Sequence, residues 1–197
     1  MAYGVIMRRL ARRAGLRVFR VLGRALEHEP APERADVDCR ILTQGEVLAC
    51  CADPTLDLSP GKVIAAYERG DVCAGAFHGG ELAGYCWFAL RPSPHMDHAW
   101  IEFGADVVYV YKSYVRPAFR GRGFASALYC FADGRFLQRG RTRAVICVAP
   151  HNRASIAAAA RGGFSPAGYA AYFGGRRLRA WCSYAAGAYR LRFFVPQ

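Results

Sequence analysis

The sequence predicts a mixed α/β fold, and three observations carry that expectation. Apolar runs of strand length, such as VCAGAFHG from Val72 and DVVYVYKSYV from Asp106, alternate with segments whose apolar residues recur at helical spacing. A tight turn at Gly79, Gly80 and Glu81 joins two of those runs as a hairpin. At 197 residues the chain is long enough for one domain with its own core.

The first element expected is an amphipathic helix over residues 4–25. Met7, Leu10, Ala11, Ala14, Val18, Val21, Leu22 and Ala25 fall on one stripe, and Arg9, Arg12, Arg13, Arg17, Arg20 and Arg24 take the other side. Such a stripe packs on the domain or on a second subunit as a homodimer. A basic amphipathic helix also fits peripheral contact with an anionic membrane surface. A polar, proline-containing linker follows over residues 28–36, so the expected organisation is a helix at 1–27, the linker, and a domain at 37–197.

Within that domain VDCRIL alternates as a strand. TQGEVLACCA reads as a helix with Thr43 as N-cap and Glu46 closing a capping box. Ser59 and Pro60 open a second helix, the proline at its first position. The hairpin comes next, then a loop, then the long strand ending at Val115. FASALYCFADGRFLQ is expected as one helix, AVICVA as a strand, and RASIAAAARG as a helix. YAAYF, a Gly174–Gly175 turn and RLRAWCSY close the chain as a hairpin.

Composition narrows the class. Hydrophobic residues make up 53% and charged residues 21%, as in a folded globular protein. The net charge of +12 favours anionic ligands or surfaces. Eight cysteines occur mostly inside apolar runs, with no C-x-x-C, which suits free buried thiols and a reduced, cytoplasmic protein. No uninterrupted apolar segment is long enough to cross a bilayer.

The most informative stretch is VRPAFRGRGFASAL, from Val115. Glycines flanked by arginines and running into a helix present backbone N–H groups and a partial positive charge to an anion. A nucleotide P-loop is excluded, because Gly61–Lys62 is followed by Val63. A dinucleotide fingerprint needs a third glycine where Ser126 stands. An RNA-recognition motif needs a strand with a stacking aromatic at that same place, yet the residues after Phe124 are apolar at helical spacing. Nucleic acid is therefore not the expected partner.

The stretch resembles the R/Q-x-x-G-x-G/A signature of the GNAT superfamily of acyl-CoA-dependent N-acyltransferases, with Arg120, Gly123 and Ala125 at its three places. NRASIAAAARGGF resembles that family's N-x-x-A…G-F segment: Asn152 and Gly163–Phe164 match, and Ser155 takes the small-residue position. The resemblance runs from Val37 to Tyr184. It implies a mostly antiparallel sheet, splayed between its fourth and fifth strands and flanked by helices, with the N-terminal helix as an addition. It also implies transfer of an acyl group, acetyl above all, from acyl-CoA to a primary amine. Coenzyme A would bind through Arg120, Gly121, Arg122, Gly123, Phe124, Ala125 and Ser126. Tyr114 and Val115 would pair their backbone with the pantetheine arm, joined by Asn152 and Ser155. Arg116 and Arg153 are further candidates for phosphate contacts.

An alkylammonium must lose a proton before it attacks a thioester, which costs about 4.6 kcal/mol at pH 7. The family's fourth-strand glutamate corresponds to Tyr109, and its tyrosine acid to Ala159. The remaining candidates for proton transfer are Tyr109, Tyr111 and Asp106. Without a matching acid and base, a non-catalytic acyl-CoA-binding module is the alternative. Alternation puts Tyr109, Tyr111 and Ser113 on one strand face, Lys112 and Tyr114 on the other. His95 and His98 lack a third ligand and read as surface loop residues, so no metal site is expected. Asp53 and Asp57 would suit a cationic acceptor, whereas Arg176, Arg177 and Arg179 would suit an anionic one.

Overall fold

The segment RVFRVLGRA satisfies two periods at once. Val18, Val21, Leu22 and Ala25 fit a helical stripe, but Phe19 and Val21 also alternate with Leu22 across a strand. In the computed structural model, which describes residues 15–27, 37–96, 98–174 and 178–196, the strand wins. β1 spans Arg17–Ala25, so the expected helix is corrected over these residues; positions 1–14 and the linker at 28–36 lie outside the described residues. The physical reason is tertiary. β1 has a neighbour on each side to complete its hydrogen bonding, and it buries Phe19 and Val21 in one core cluster and Leu22 in the other. A Cβ at Gly23 would lie 1.9 Å from the Tyr189 hydroxyl, so a larger residue there would have to displace that ring.

The other strands are β2 (Asp38–Leu42), β3 (Val72–His78), β4 (Glu81–Ala89), β5 (Ser93–Met96), β6 (Ala99–Glu102), β7 (Val107–Val115), β8 (Arg143–Val148), β9 (Ser165–Phe173), β10 (Arg179–Cys182) and β11 (Arg192–Phe194). Among the described residues seven of them and β1 form one sheet in the order β10-β9-β1-β8-β7-β4-β3-β2. Among the described strands β7 and β8 alone pair in parallel. α1 (Gln44–Cys50) and α2 (Pro60–Glu68) pack on one face through Val47, Val63 and Ala66 against Tyr85 and Trp87. α3 (Phe124–Phe131), α4 (Asp133–Leu137) and α5 (Arg153–Arg161) cover the other through Phe124, Leu128, Phe136 and Ala159. A short α6 (Tyr184–Gly187) precedes β11.

Two further expectations change. The segment after Leu90, expected as loop, contains β5 and β6, which join β11 in a three-stranded sheet. Strands of three or four residues, one containing Pro94, are too short to show a period. His95 accordingly lies on a strand, with Nδ1 2.5 Å from the Tyr109 hydroxyl and Phe19 and Phe193 edge-on to its ring. The helix expected from Phe124 to Gln138 is broken at Ala132, whose φ of −96° and ψ of 7° leave the helical region.

That break turns Asp133 inward. Its carboxylate meets Arg24 from β1 at 2.5 and 2.6 Å, both groups buried, while the same guanidinium donates to the Tyr129 carbonyl at 2.6 Å. Arg24, expected on a solvated basic face, is thus an internal tie between strand and helix. All eight cysteines are free thiols. No helix among the described residues is long and apolar enough to cross a membrane.

Removing one partner of the buried pair leaves the other charged and uncompensated. Asp133→Ala is expected to lower unfolding free energy by about 3–5 kcal/mol in denaturant titration, and Arg24→Met/Asp133→Leu to recover most of it. A second expectation concerns α1. Its capping box forms as the sequence predicts, with Glu46 accepting from the Thr43 N–H at 2.7 Å. That bond first, then Arg40 and the Thr43 hydroxyl, hold the Glu46 carboxyl down at about 2. A depressed carboxylate stabilises the fold above its unfolded pKa of about 4.3, and that contribution is lost as pH falls toward 2. Thr43→Ala should cost about 1 kcal/mol at pH 7, and the difference from wild type should shrink across that acid window.

Candidate functional site

The glycine turn begins as the sequence requires. After Pro117–Phe119 form a single 3₁₀ turn, Arg120 is extended, and Gly121 and Gly123 take φ of 78° and 84°. Two left-handed residues in three reverse the chain tightly, and only glycine does so without strain. α3 then starts at Phe124, and the first of its N–H groups to bond back is Ala127, to the Gly123 carbonyl at 3.1 Å. No side chain among the described residues caps it; the Ser126 hydroxyl donates instead to the Gly123 carbonyl at 2.8 Å. The first-turn donors therefore face outward with the positive end of the helix dipole.

They face a cleft of about 570 Å³. β7 and β8 pair over Val107–Val110 and Arg143–Ile146, while β7 continues to Val115, so the strands diverge beyond that point. One wall carries Tyr114, Val115, Arg120, Gly121, Gly123, Phe124, Ala125 and Ser126; the other carries Asn152 and Ser155. Ten of the eleven candidate cofactor residues lie on this lining. Arg122 is the exception: its guanidinium lies 3.2 Å from Nε2 of His78 and over Phe119 and Phe124. Asn152 also caps α5, accepting from the Ser155 N–H at 3.1 Å. Arg116 turns the other way, to Asp53 at 2.8 Å and the Leu82 carbonyl at 2.8 Å. Arg161, which the sequence did not single out, lines the cleft from the last turn of α5.

A bulge in β7 changes which side chains share a face. Trp87 pairs with Lys112 and Phe88 with Val110, leaving Tyr111 as the extra residue. Tyr111, Lys112 and Tyr114 consequently turn toward α2, where Tyr111 stacks on Trp87 and Tyr114 on Tyr85. Ser113 turns to the opposite face and meets the Tyr129 hydroxyl of α3 at 2.8 Å. Regular alternation would have put Ser113 with Tyr111; the bulge is the reason that expectation fails.

On the α2 side lies a second hollow of about 300 Å³, lined by Leu58, Val63, Trp87, Pro94, Tyr111 and Lys112 among others. Behind it Tyr111 donates to Asp71 at 3.0 Å, and Arg69 donates to the same oxygen at 2.7 Å. Burial pushes the Asp71 carboxyl up against the opposing pull of Arg69 and Tyr111, and burial, then Asp71, pushes the Tyr111 phenol up. Of the three proton-transfer candidates the structure brings Tyr111 to a cavity. Tyr109 is 1% exposed and engaged by His95, with burial raising its phenol well above the ordinary value. Asp106 precedes the opposite end of β7 and pairs with Arg143 at 2.7 Å. Asp53 and Asp57 are held by Arg116 and Lys112, and Arg176 and Arg177 lie outside the described residues.

Comparison with known proteins agrees with this geometry. The model of the acetyltransferase (GNAT) family matches residues 44–164. Among solved structures the chain is similar to a GCN5-related N-acetyltransferase from Sphaerobacter thermophilus, at 16% identity and a TM-score of 0.55 over 90% of this chain and 56% of that one. It is similar to one from Kribbella flavida, at 14% identity and 0.53 over 91% and 66%. A GNAT-family acetyltransferase from Colwellia psychrerythraea gives 18% identity and 0.52 over 84% and 59%. The chain spans between 56% and 66% of the length of these three, and the likeness is one of fold. A comparison with curated protein sequences gives no match. With the matched region running from the first helix through the glycine turn to Phe164, this chain belongs to the acetyltransferase (GNAT) family.

Proposed function

We propose that the protein is an N-acyltransferase that moves an acyl group, acetyl in the first instance, from acyl-CoA to a primary amine. The observation that carries the reading is the junction of two features in one cleft. An uncapped helix N-terminus behind two left-handed glycines suits a pyrophosphate, and the gap between β7 and β8 suits an extended arm that adds to β7 as a strand. Arg120 and Arg161 add positive charge at the mouth. A backbone N–H of β7 near Val115, beyond the last pairing with β8, would receive the oxyanion as the amine adds.

The acceptor then approaches through the hollow on the α2 side. Its apolar lining and cations, among them Lys62, Arg69 and Lys112, favour an amine on an apolar body over a polycation. Tyr111 stands on that wall with Asp71 behind it, and the pair relays the ammonium proton away: the Tyr111 hydroxyl takes it as its own proton passes to the carboxylate.

One observation favours the alternative of a non-catalytic acyl-CoA-binding module. Among the described residues neither cavity has a carboxylate in its lining. Release of CoA thiol from acetyl-CoA on addition of primary amines separates the two, since the transferase releases it and the module does not.

Cofactor binding is tested from both walls. Gly123→Glu puts a side chain and a negative charge at the helix N-terminus, and Ala157→Trp fills the cleft from α5 without touching the turn. Each is expected to weaken acetyl-CoA binding at least about tenfold by calorimetry, a loss of about 1.4 kcal/mol. Wild-type affinity in both variants would overturn the assignment.

A further inference from the structure

Transfer from a thioester ends with a proton on sulfur, and among the described residues the cleft lining contains no carboxylic acid, histidine or lysine to supply it. Its hydroxyl groups are more telling. Tyr114 donates across to the Thr55 carbonyl on the other face, and Ser126 is turned to the Gly123 carbonyl. That leaves Ser155, in the first turn of α5, and a couple formed by Ser113 and Tyr129, whose hydroxyl oxygens lie 2.8 Å apart. Ser113 sits three residues beyond Val110, the last residue of β7 that pairs with β8, where the gap between the strands opens.

We propose that Tyr129 is the acid that protonates the departing thiolate, with Ser113 returning the proton to it. The inference rests on the acyl-transfer reading above and deepens it.

The phenol is held for that task. The Tyr129 ring packs edge-on to Phe164 at 5.7 Å, its edge lies against Gly162, and its carbonyl is fixed by Arg24 at 2.6 Å. The residue is 1% exposed, and burial raises the phenol above its ordinary value, so it stays protonated through neutral pH. Ala159 of α5, which carries no proton to give, is fully buried in the same cluster. α3 therefore supplies from one side of the cleft what α5 does not supply from the other.

The step balances. The amine nitrogen bonds to the thioester carbon, and the C=O π pair moves to oxygen. As that pair returns, the C–S bond breaks with its electrons on sulfur, and sulfur takes the Tyr129 hydroxyl proton. The phenolate takes the Ser113 hydroxyl proton, and Ser113 takes one from the adduct's ammonium nitrogen directly or through water. Nitrogen has lost one proton and sulfur has gained one.

The test uses the full chain with acetyl-CoA as donor and hydroxylamine as the amine, with thiol release as the readout. Tyr129→Phe should keep wild-type affinity for acetyl-CoA by calorimetry while releasing thiol about 100-fold more slowly. Ser113→Ala/Tyr129→Phe, which leaves no unpaired hydroxyl behind, should show the same loss. With S-(4-nitrophenyl) thioacetate, whose thiolate leaves without a proton, Tyr129→Phe and wild type should react alike. Equal thiol release from acetyl-CoA by Tyr129→Phe and wild type overturns this inference and leaves the acyl-transfer reading standing. So does loss of acetyl-CoA binding in both variants, or a defect equally large with the activated donor, since either marks a packing role. Binding of acetyl-CoA by the wild type with no thiol release overturns the transfer reading and this inference together.

Discussion

Strand β7 pairs with β4 through Val115 but with β8 only as far as Val110. The site depends on that half-kept pairing. A backbone N–H or C=O left unpaired inside a fold carries a penalty comparable to a lost hydrogen bond. Along the outer half of β7 some of that debt is met from within, since the Arg120 side chain donates to the Val115 carbonyl at 3.1 Å. The rest faces a gap with the shape of a missing strand. An extended ligand arm that bonds to this edge would complete the ladder, which is why the cleft suits a flexible, amide-bearing chain.

The bulge at Tyr111 adds a second consequence, because it divides the chemistry between the two faces of one strand. Tyr111 looks toward the apolar hollow with Asp71 behind it, and two residues later Ser113 looks toward Tyr129 in the cleft. A regular strand would have put both on one side. On the proposed reading the reacting carbonyl would lie between the two couples, with a proton accepted on one face and a proton donated on the other.

The buried pair of Arg24 and Asp133 ties this arrangement to the rest of the molecule. It joins β1 to the break after α3, and through the Tyr129 carbonyl it sets the height of that helix over the sheet. β1 itself occupies the place between β8 and β9, so the strand that flanks the gap is braced from behind by a segment near the start of the chain. An ion pair in this position contributes little net stability against an apolar substitute, whereas loss of either partner leaves the other buried and uncompensated.

Local chemistry made much of this legible in advance. The capping box at Thr43 and Glu46, the turn at Gly79 and Gly80, and the left-handed glycines at 121 and 123 each depend on a few consecutive residues. So does the placing of most of the glycine-turn residues, and of Asn152, along one cleft. What the sequence could not supply has a common cause. Residues 17–25 fit two periods, and only the partners on either side chose the strand. β5, β6 and β11 are too short to announce themselves and exist because each completes another's ladder. The bulge follows from register against β4, which no property of Tyr111 alone reveals. Nothing in the sequence singles out Asp71 or Tyr129 until distant segments bring Tyr111 and Ser113 to them. The sequence determined the glycine turn that lines the cleft, because backbone dihedrals are set locally. The tertiary structure decided which hydroxyl faces which cavity, because strand register is a property of two strands and not of one.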